Sequence, residues 1–125
     1  MKVYSLLIVD DERDAVDAMK MYLDLQGFDV RFAYSGSEGV NAAKEDKPDL
    51  VLLDLAMPGM DGWQALKLMK ESAPDLRVVI VTGSVPDRNL EEQVKQEGAI
   101  GILIKPIKIG ELASKIRSFI EGGQP

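Results

Sequence analysis

Residues Leu50 to Gly62 read LVLLDLAMPGMDG, and this stretch decides the fold. Leu50, Val51, Leu52 and Leu53 are apolar without polar alternation, which predicts a strand covered on both faces, as in the middle of a parallel sheet. The run ends on Asp54, so a carboxylate stands at the C-terminal end of that strand, where open α/β sheets gather ligands and chemistry. Pro58 and Gly59 then turn the chain, and the apolar periodicity from Trp63 to Met69 predicts the helix that follows.

The same unit repeats on either side. Val3 to Val9 is a mostly apolar strand, followed by Asp10 and Asp11 and by a helical pattern carrying Ala15, Val16, Met19, Tyr22 and Leu23, with Gly27 in the C′ position. Phe28, Val30 and Phe32 alternate with Asp29 and Arg31, which predicts a strand with one wetter face at a sheet edge. Ser35 or Ser37 caps the next short helix, and Lys47-Pro48-Asp49 leads back to the Asp54 strand. Beyond Pro74, Arg77 to Val81 is a second doubly buried strand ending at Thr82-Gly83-Ser84. Pro86 and Asp87 open a fourth helix, whose few apolar positions make it the least firmly buried and the candidate for movement. Ile100 to Ile104 is the last strand, stopped by Lys105-Pro106. Leu112, Ile116, Phe119 and Ile120 fall on one side of a final helix before the chain ends in Gly122-Gly123-Gln124-Pro125.

Five βα units in succession predict a parallel sheet with right-handed crossovers and helices on both faces, a three-layer sandwich. With the alternating strand at an edge, the flavodoxin-like order 2-1-3-4-5 fits better than a Rossmann order. A length of 125 residues fits one domain, with no sign of a second within residues 1–125. No apolar run approaches the ~18 residues of a membrane span, and no signal pattern opens the chain, so the expected setting is the cytoplasm. The chain has no Cys, which removes disulfides and thiolate chemistry, and no His, which removes triads, histidine metal ligands and a phosphohistidine formed on the chain itself. A net charge of -6 argues against direct nucleic-acid binding, which needs a basic face.

Four of the five predicted strands deliver polar groups to the same edge: Asp10 and Asp11 from the first, Asp54 from the third, Thr82 from the fourth and Lys105 from the fifth. Singly, each has a dull explanation as a cap, a turn or a solvated lysine. Converging on one crevice, they do not. Crowded carboxylates repel unless a cation joins them, and all-oxygen ligation selects Mg²⁺, Mn²⁺ or Ca²⁺ over zinc. A carboxylate, a hard divalent cation, a hydroxyl and an ammonium are what phosphoryl transfer needs, with Asp54 as the nucleophile.

VDD at 9–11, DLAMPGMDG at 54–62, VTGS at 81–84 and GAIGILIKP at 98–106 together resemble the receiver domain of two-component response regulators, over nearly the whole chain. The strand order above is therefore carried by that family as much as by the pattern. The resemblance implies that Asp54 accepts a phosphoryl group from a phosphohistidine on a sensor histidine kinase. It implies that Asp11, Asp54 and the backbone carbonyl of Ala56 bind Mg²⁺ (or Mn²⁺) directly, with Asp10 acting through water. Lys105 would pair with the phosphoryl oxygens, Thr82 would swing in to hydrogen-bond one of them, and Gly83 would keep that approach open. A cis Lys105-Pro106 bond is also implied. The expected output is a population shift of the loop after Thr82 and the fourth helix, acting on a protein target or an output domain outside this chain. Self-phosphorylation and self-dephosphorylation are the only chemistry implied, not enzymatic turnover of another substrate.

Two positions depart from the family pattern. Ile102 stands where an aromatic residue often occupies the last strand, and Ile107 where one usually follows Lys-Pro. The phosphorylation chemistry is untouched, but a Thr-aromatic relay does not carry over. The rival readings are a pseudo-receiver acting purely as a protein-binding module, an aspartyl phosphatase or phosphotransferase, and a flavin binder. The intact Asp54, Asp11 and Lys105 weigh against the first. Ala56 occupies the place of the acid that the second needs, and Asp10-Asp11-Glu12 would repel the phosphate of the third. Neither the kinase nor the oligomeric state is legible.

Overall fold

The computed structural model describes residues 2–122; of the C-terminal Gly122-Gly123-Gln124-Pro125, the last three lie outside it. Five strands alternate with five helices: β1 (Ser5–Val9), α1 (Arg13–Leu25), β2 (Asp29–Ala33), α2 (Gly36–Glu45), β3 (Leu50–Asp54), α3 (Gly62–Ser72), β4 (Val78–Thr82), α4 (Arg88–Glu97), β5 (Gly101–Ile104) and α5 (Ile109–Arg117). All strand pairs are parallel, in the order β2-β1-β3-β4-β5. The flavodoxin-like sandwich expected from the sequence is the observed architecture.

The two faces are assigned by the parity of the strand residues. Leu7, Val9, Val51, Leu53, Val78 and Ile80 pack with Val40 and Ala43 of α2, Leu66 and Met69 of α3 and Val94 of α4. Leu6, Ile8, Leu50, Leu52, Val79, Val81 and Leu103 pack with Val16, Met19 and Leu23 of α1 and Leu112 and Ile116 of α5. Every residue of β3 and β4 is buried, which is why neither strand shows polar alternation. Each fully buried aliphatic side chain contributes about 1.5–3 kcal/mol relative to exposure, so these central strands anchor the edge from which Asp54 and Thr82 project.

Local signals set the helix ends. Ser35 caps α2 by accepting from the Glu38 N–H, which selects Ser35 over Ser37. Asp61 and Gln64 form a reciprocal capping box at the start of α3, and Asp87 caps α4. Gly27 ends the α1 turn at φ +92°, a conformation that side chains disfavour. Only Val94 of α4 is buried, the thinnest apolar attachment expected for that helix.

Three local expectations are corrected. The first strand begins at Ser5 rather than Val3, because pairing starts where Ser5 meets Asp29. Phe32 is exposed despite lying in register with buried Phe28 and Val30. It sits near the end of an edge strand, with its ring tilted against Tyr34 at 5.1 Å. The last helix is not continuous through Phe119 and Ile120. It is α-helical to Arg117 and widens into a π turn over Ser118–Gly122. There the Phe119 carbonyl accepts from Arg77, and the ring lies so close over Gly101 that a Cβ would collide with it.

Candidate functional site

The register brings the polar strand ends level. Val9 pairs with Leu53, so Asp10 and Asp54 leave neighbouring strands side by side; Asp54 pairs with Val81, and Thr82 with Ile104, directly before Lys105. Oxygens of Asp10, Asp11 and Asp54 all lie within 4.8 Å of one another. Lys105 Nζ reaches into this group, at 3.1 Å from Asp54 Oδ2 and 3.2 Å from Asp10 Oδ2. Asp10 and Asp54 are buried, whereas Asp11 is exposed. The expected convergence of Asp10, Asp11, Asp54 and Lys105 is met.

Thr82 stands at the same edge but takes no part in that cluster. Its hydroxyl is buried and accepts the Ser84 N–H at 3.1 Å. Parity explains the separation: Asp10 and Asp54 continue the series of Leu6, Ile8, Leu50 and Leu52 on the α1/α5 face, and Thr82 continues Val78 and Ile80 on the other. The backbone nevertheless ties it to the cluster, since the Lys105 N–H donates to the Thr82 carbonyl at 2.7 Å. At Gly83 an added Cβ would meet nothing within 4 Å, so the crowding expected there would require a side chain longer than a methyl.

The turn after β3 is set by close packing. The Ala56 N–H donates to Asp54 Oδ1 at 3.1 Å, fixing one carboxylate oxygen while Lys105 holds the other. Behind it, a Cβ on Gly62 would lie 2.5 Å from the Asp54 carbonyl oxygen and 2.6 Å from Leu55 Cα, so only glycine lets α3 start this close to the strand end. The Lys105-Pro106 peptide bond is cis, as expected.

The electrostatics are those of a crowded acid site. Burial raises the Asp54 pKa above its ordinary value, and the Asp10 charge adds to the rise, while the Ala56 N–H and the Lys105 ammonium act against it. Burial by itself would lower the Lys105 pKa. Its bonds to Glu12 and Asp54 and the charges of Asp10 and Asp54 outweigh that effect and hold the ammonium above the ordinary lysine value. Lys105 is therefore a fixed cation. The three acid side chains supply only hard oxygen donors, which suits Mg²⁺ or Mn²⁺ and matches the cation requirement of carboxylates this close together. Glu12 joins the site although no motif marks it: its carboxylate accepts from Lys105 at 3.0 Å, and its own N–H donates to Asp10 Oδ1 at 3.0 Å. A third acid directly after Asp10-Asp11 was the only signal, and it reads like any solvated glutamate.

A family profile described as the response regulator receiver domain matches residues 6–117. Among curated proteins, the chain is 32% identical over 115 residues to the uncharacterized transcriptional regulatory protein YkoG of Bacillus subtilis (strain 168), covering 90% of this chain and 49% of that protein. The chain thus spans about half the length of the curated relatives it matches. Among solved structures, the response regulator domain of Thermotoga maritima CheB is 32% identical with a TM-score of 0.86, covering 96% of this chain and 98% of that one. Borrelia burgdorferi CheY, solved in a CheX-CheY-BeF3-Mg complex, is 27% identical with a TM-score of 0.85, covering 93% of this chain and 88% of that one.

Proposed function

This chain belongs to the response regulator receiver domains, and on that premise we propose that it is the phosphoacceptor of a two-component system, phosphorylated on Asp54 by a sensor histidine kinase in a Mg²⁺-dependent reaction. The observation that carries the reading is the single Lys105 ammonium held within 3.2 Å of both Asp10 and Asp54, beside three carboxylates whose oxygens lie within 4.8 Å.

In the reaction, an oxygen of the Asp54 carboxylate attacks phosphorus and forms the new P–O bond. The bond from phosphorus to the donor's nitrogen or oxygen breaks, and its electron pair leaves with the imidazole or the carboxylate. Asp54 must be ionised to do this. Burial opposes ionisation, and the Lys105 ammonium and the Ala56 N–H favour it. Lys105, charged throughout the physiological range, then meets the phosphoryl oxygens as they arrive. Asp11 and Asp54, with the Ala56 carbonyl, would hold Mg²⁺ directly and Asp10 through water. When bound, the ion would neutralise the carboxylates and the charge on the equatorial phosphoryl oxygens. Thr82, now engaged with Ser84, is the hydroxyl that would exchange that partner for a phosphoryl oxygen and carry the loop before α4 with it. The chemistry would stop at the chain's own phosphoryl group, gained and lost, with Ala56 offering no acid to speed hydrolysis.

The output would be a protein target or a further domain, as the relatives of twice this length suggest. Among the described residues no helix is long and apolar enough to cross a membrane. Beryllofluoride and Mg²⁺ in the complex of the Borrelia relative make the same pair the natural mimic here. Incubation with acetyl phosphate and Mg²⁺ is expected to add the mass of one phosphoryl group, absent with chelator and absent in Asp54→Asn. An unmodified wild-type protein, or a variant modified equally, would refute the assignment.

A further inference from the structure

We infer that Glu12 is a positioning residue: its carboxylate holds the Lys105 ammonium in the unphosphorylated protein and yields it to the incoming phosphoryl group, setting how readily Asp54 is loaded and how tightly the phosphoryl group is kept. The inference rests on the phosphoacceptor reading and concerns a residue which that reading does not use.

An ammonium has three N–H donors. Lys105 donates to Glu12 at 3.0 Å and to Asp54 at 3.1 Å and is ion-paired with Asp10 at 3.2 Å, so carboxylates crowd the ammonium on three sides before any phosphoryl group arrives. An arriving anion is repelled by these carboxylates, and the ammonium is best exposed to it when one of the contacts opens. Asp10 and Asp54 have side chains only 3% and 5% exposed, and a buried carboxylate deprived of its cation is costly. The Glu12 side chain is 65% exposed and regains water as it leaves, so its contact is the one that opens most cheaply. Glu12 also stands outside the three acids that converge as a cation site, and it does not become the acyl phosphate. Its backbone is nevertheless fixed to the site through the bond from its N–H to Asp10 Oδ1, so the carboxylate can swing away without being lost.

The arrangement makes Glu12 and the phosphoryl group rivals for one N–H of Lys105. Removing the Glu12 charge weakens its hold on that N–H, because the Gln amide oxygen accepts only as a neutral group. Because exposed pairs are worth up to about 1 kcal/mol, Glu12→Gln is expected to be loaded about three- to fivefold faster by acetyl phosphate and to bind beryllofluoride tighter by a similar factor.

The experiment measures both quantities, labelling by mass spectrometry and beryllofluoride affinity by calorimetry, on the wild type, Glu12→Gln, Glu12→Asp, Lys105→Gln and the double variant. The gain in Glu12→Gln is expected to vanish when Lys105 is also Gln, because the two residues then have nothing to exchange. A gain that persists without Lys105 means that Glu12 merely repels the anionic donor, and it overturns the inference, as does Glu12→Gln behaving like wild type. Should Lys105→Gln lose its fold by circular dichroism, Glu12→Asp decides. It keeps the charge but shortens the reach, so a gain close to that of Glu12→Gln supports the inference and no gain overturns it. A wild-type protein that neither labels nor binds beryllofluoride removes the phosphoacceptor reading and this inference together, whereas normal wild-type labelling with a silent Glu12 removes the inference alone.

Discussion

Replacing Lys105 with Ala removes the cation around which the acid edge of the sheet is arranged, and its cost can be worked from the contacts. Lys105 donates to Asp54 and Glu12 and lies beside Asp10. The Glu12 contact is exposed and solvent-screened, worth less than about 1 kcal/mol. The buried pair is the larger part: removing one partner from buried charges costs about 3–5 kcal/mol, reduced here because truncation lets water reach carboxylates at the sheet edge. A loss of about 2–4 kcal/mol at neutral pH without Mg²⁺ is expected, a substantial part of the ~5–15 kcal/mol that a domain holds in reserve. The pH dependence follows from the two shifts. The folded Lys105 pKa lies above its unfolded value, so the stability it contributes is complete below about pH 10.4 and is lost only as pH rises through the folded value. The folded Asp54 pKa is also raised, so the cost of its charge is absent below the ordinary carboxylate value of about 3.9 and grows as pH rises through the folded value. Without Lys105 that cost is unrestrained. Urea unfolding at about pH 4 and about pH 7.5, in chelator and in Mg²⁺, should show a small deficit in acid, a full one at neutral pH and a larger gain from Mg²⁺ in the variant than in the wild type. A variant as stable as wild type at neutral pH in chelator, or a deficit unchanged by acid, would refute the reasoning.

Asp54→Asn should raise the urea midpoint of the metal-free protein at neutral pH, since a neutral side chain escapes the burial that raises the Asp54 pKa; the gain should fade as acid protonates the wild-type carboxylate. Gly62→Ala should cost about 1–3 kcal/mol through its clash with the Asp54 carbonyl and Leu55 Cα, more than the helix preference of Ala returns, and should slow acetyl phosphate labelling by shifting the turn behind Asp54. A stable, normally labelled variant would contradict that account. Asp61→Ala, which deletes the α3 capping box, should lower stability by about 1 kcal/mol without changing the labelling rate. Amide exchange across Asp87–Glu97 should change on adding beryllofluoride and Mg²⁺; exchange indifferent to the mimic would exclude α4 from the switch.

Most of the fold was legible because its signals are local. Unbroken apolar runs at Leu50–Leu53 and Val78–Val81 can be buried only in the centre of a sheet, and alternation from Phe28 to Phe32 belongs at an edge. Asp54 was legible for the same reason, as a carboxylate at the end of a run that no water touches. Less legible were features that depend on what lies opposite in space. Phe32 lies near the end of the edge strand with its ring against Tyr34, past the point where Phe28 and Val30 are covered, and the π turn at Ser118–Gly122 accompanies Phe119 lying over Gly101 of β5.

From its amino acids alone this chain determined a parallel five-stranded sandwich, and it determined that carboxylates, a hydroxyl and a lysine leave the strands at one edge, because the alternation of strands with helices and the apolar runs are written along the chain. Which of them meet was decided by tertiary register. Val9 opposite Leu53 brings Asp10 level with Asp54, the parity of β4 turns Thr82 to the other face toward Ser84, and the loop after β1 presents Glu12 to Lys105. Side-chain direction alternates with every residue of a strand, so a shift of one position would have moved each of these groups to the opposite face while leaving the sequence signals unchanged.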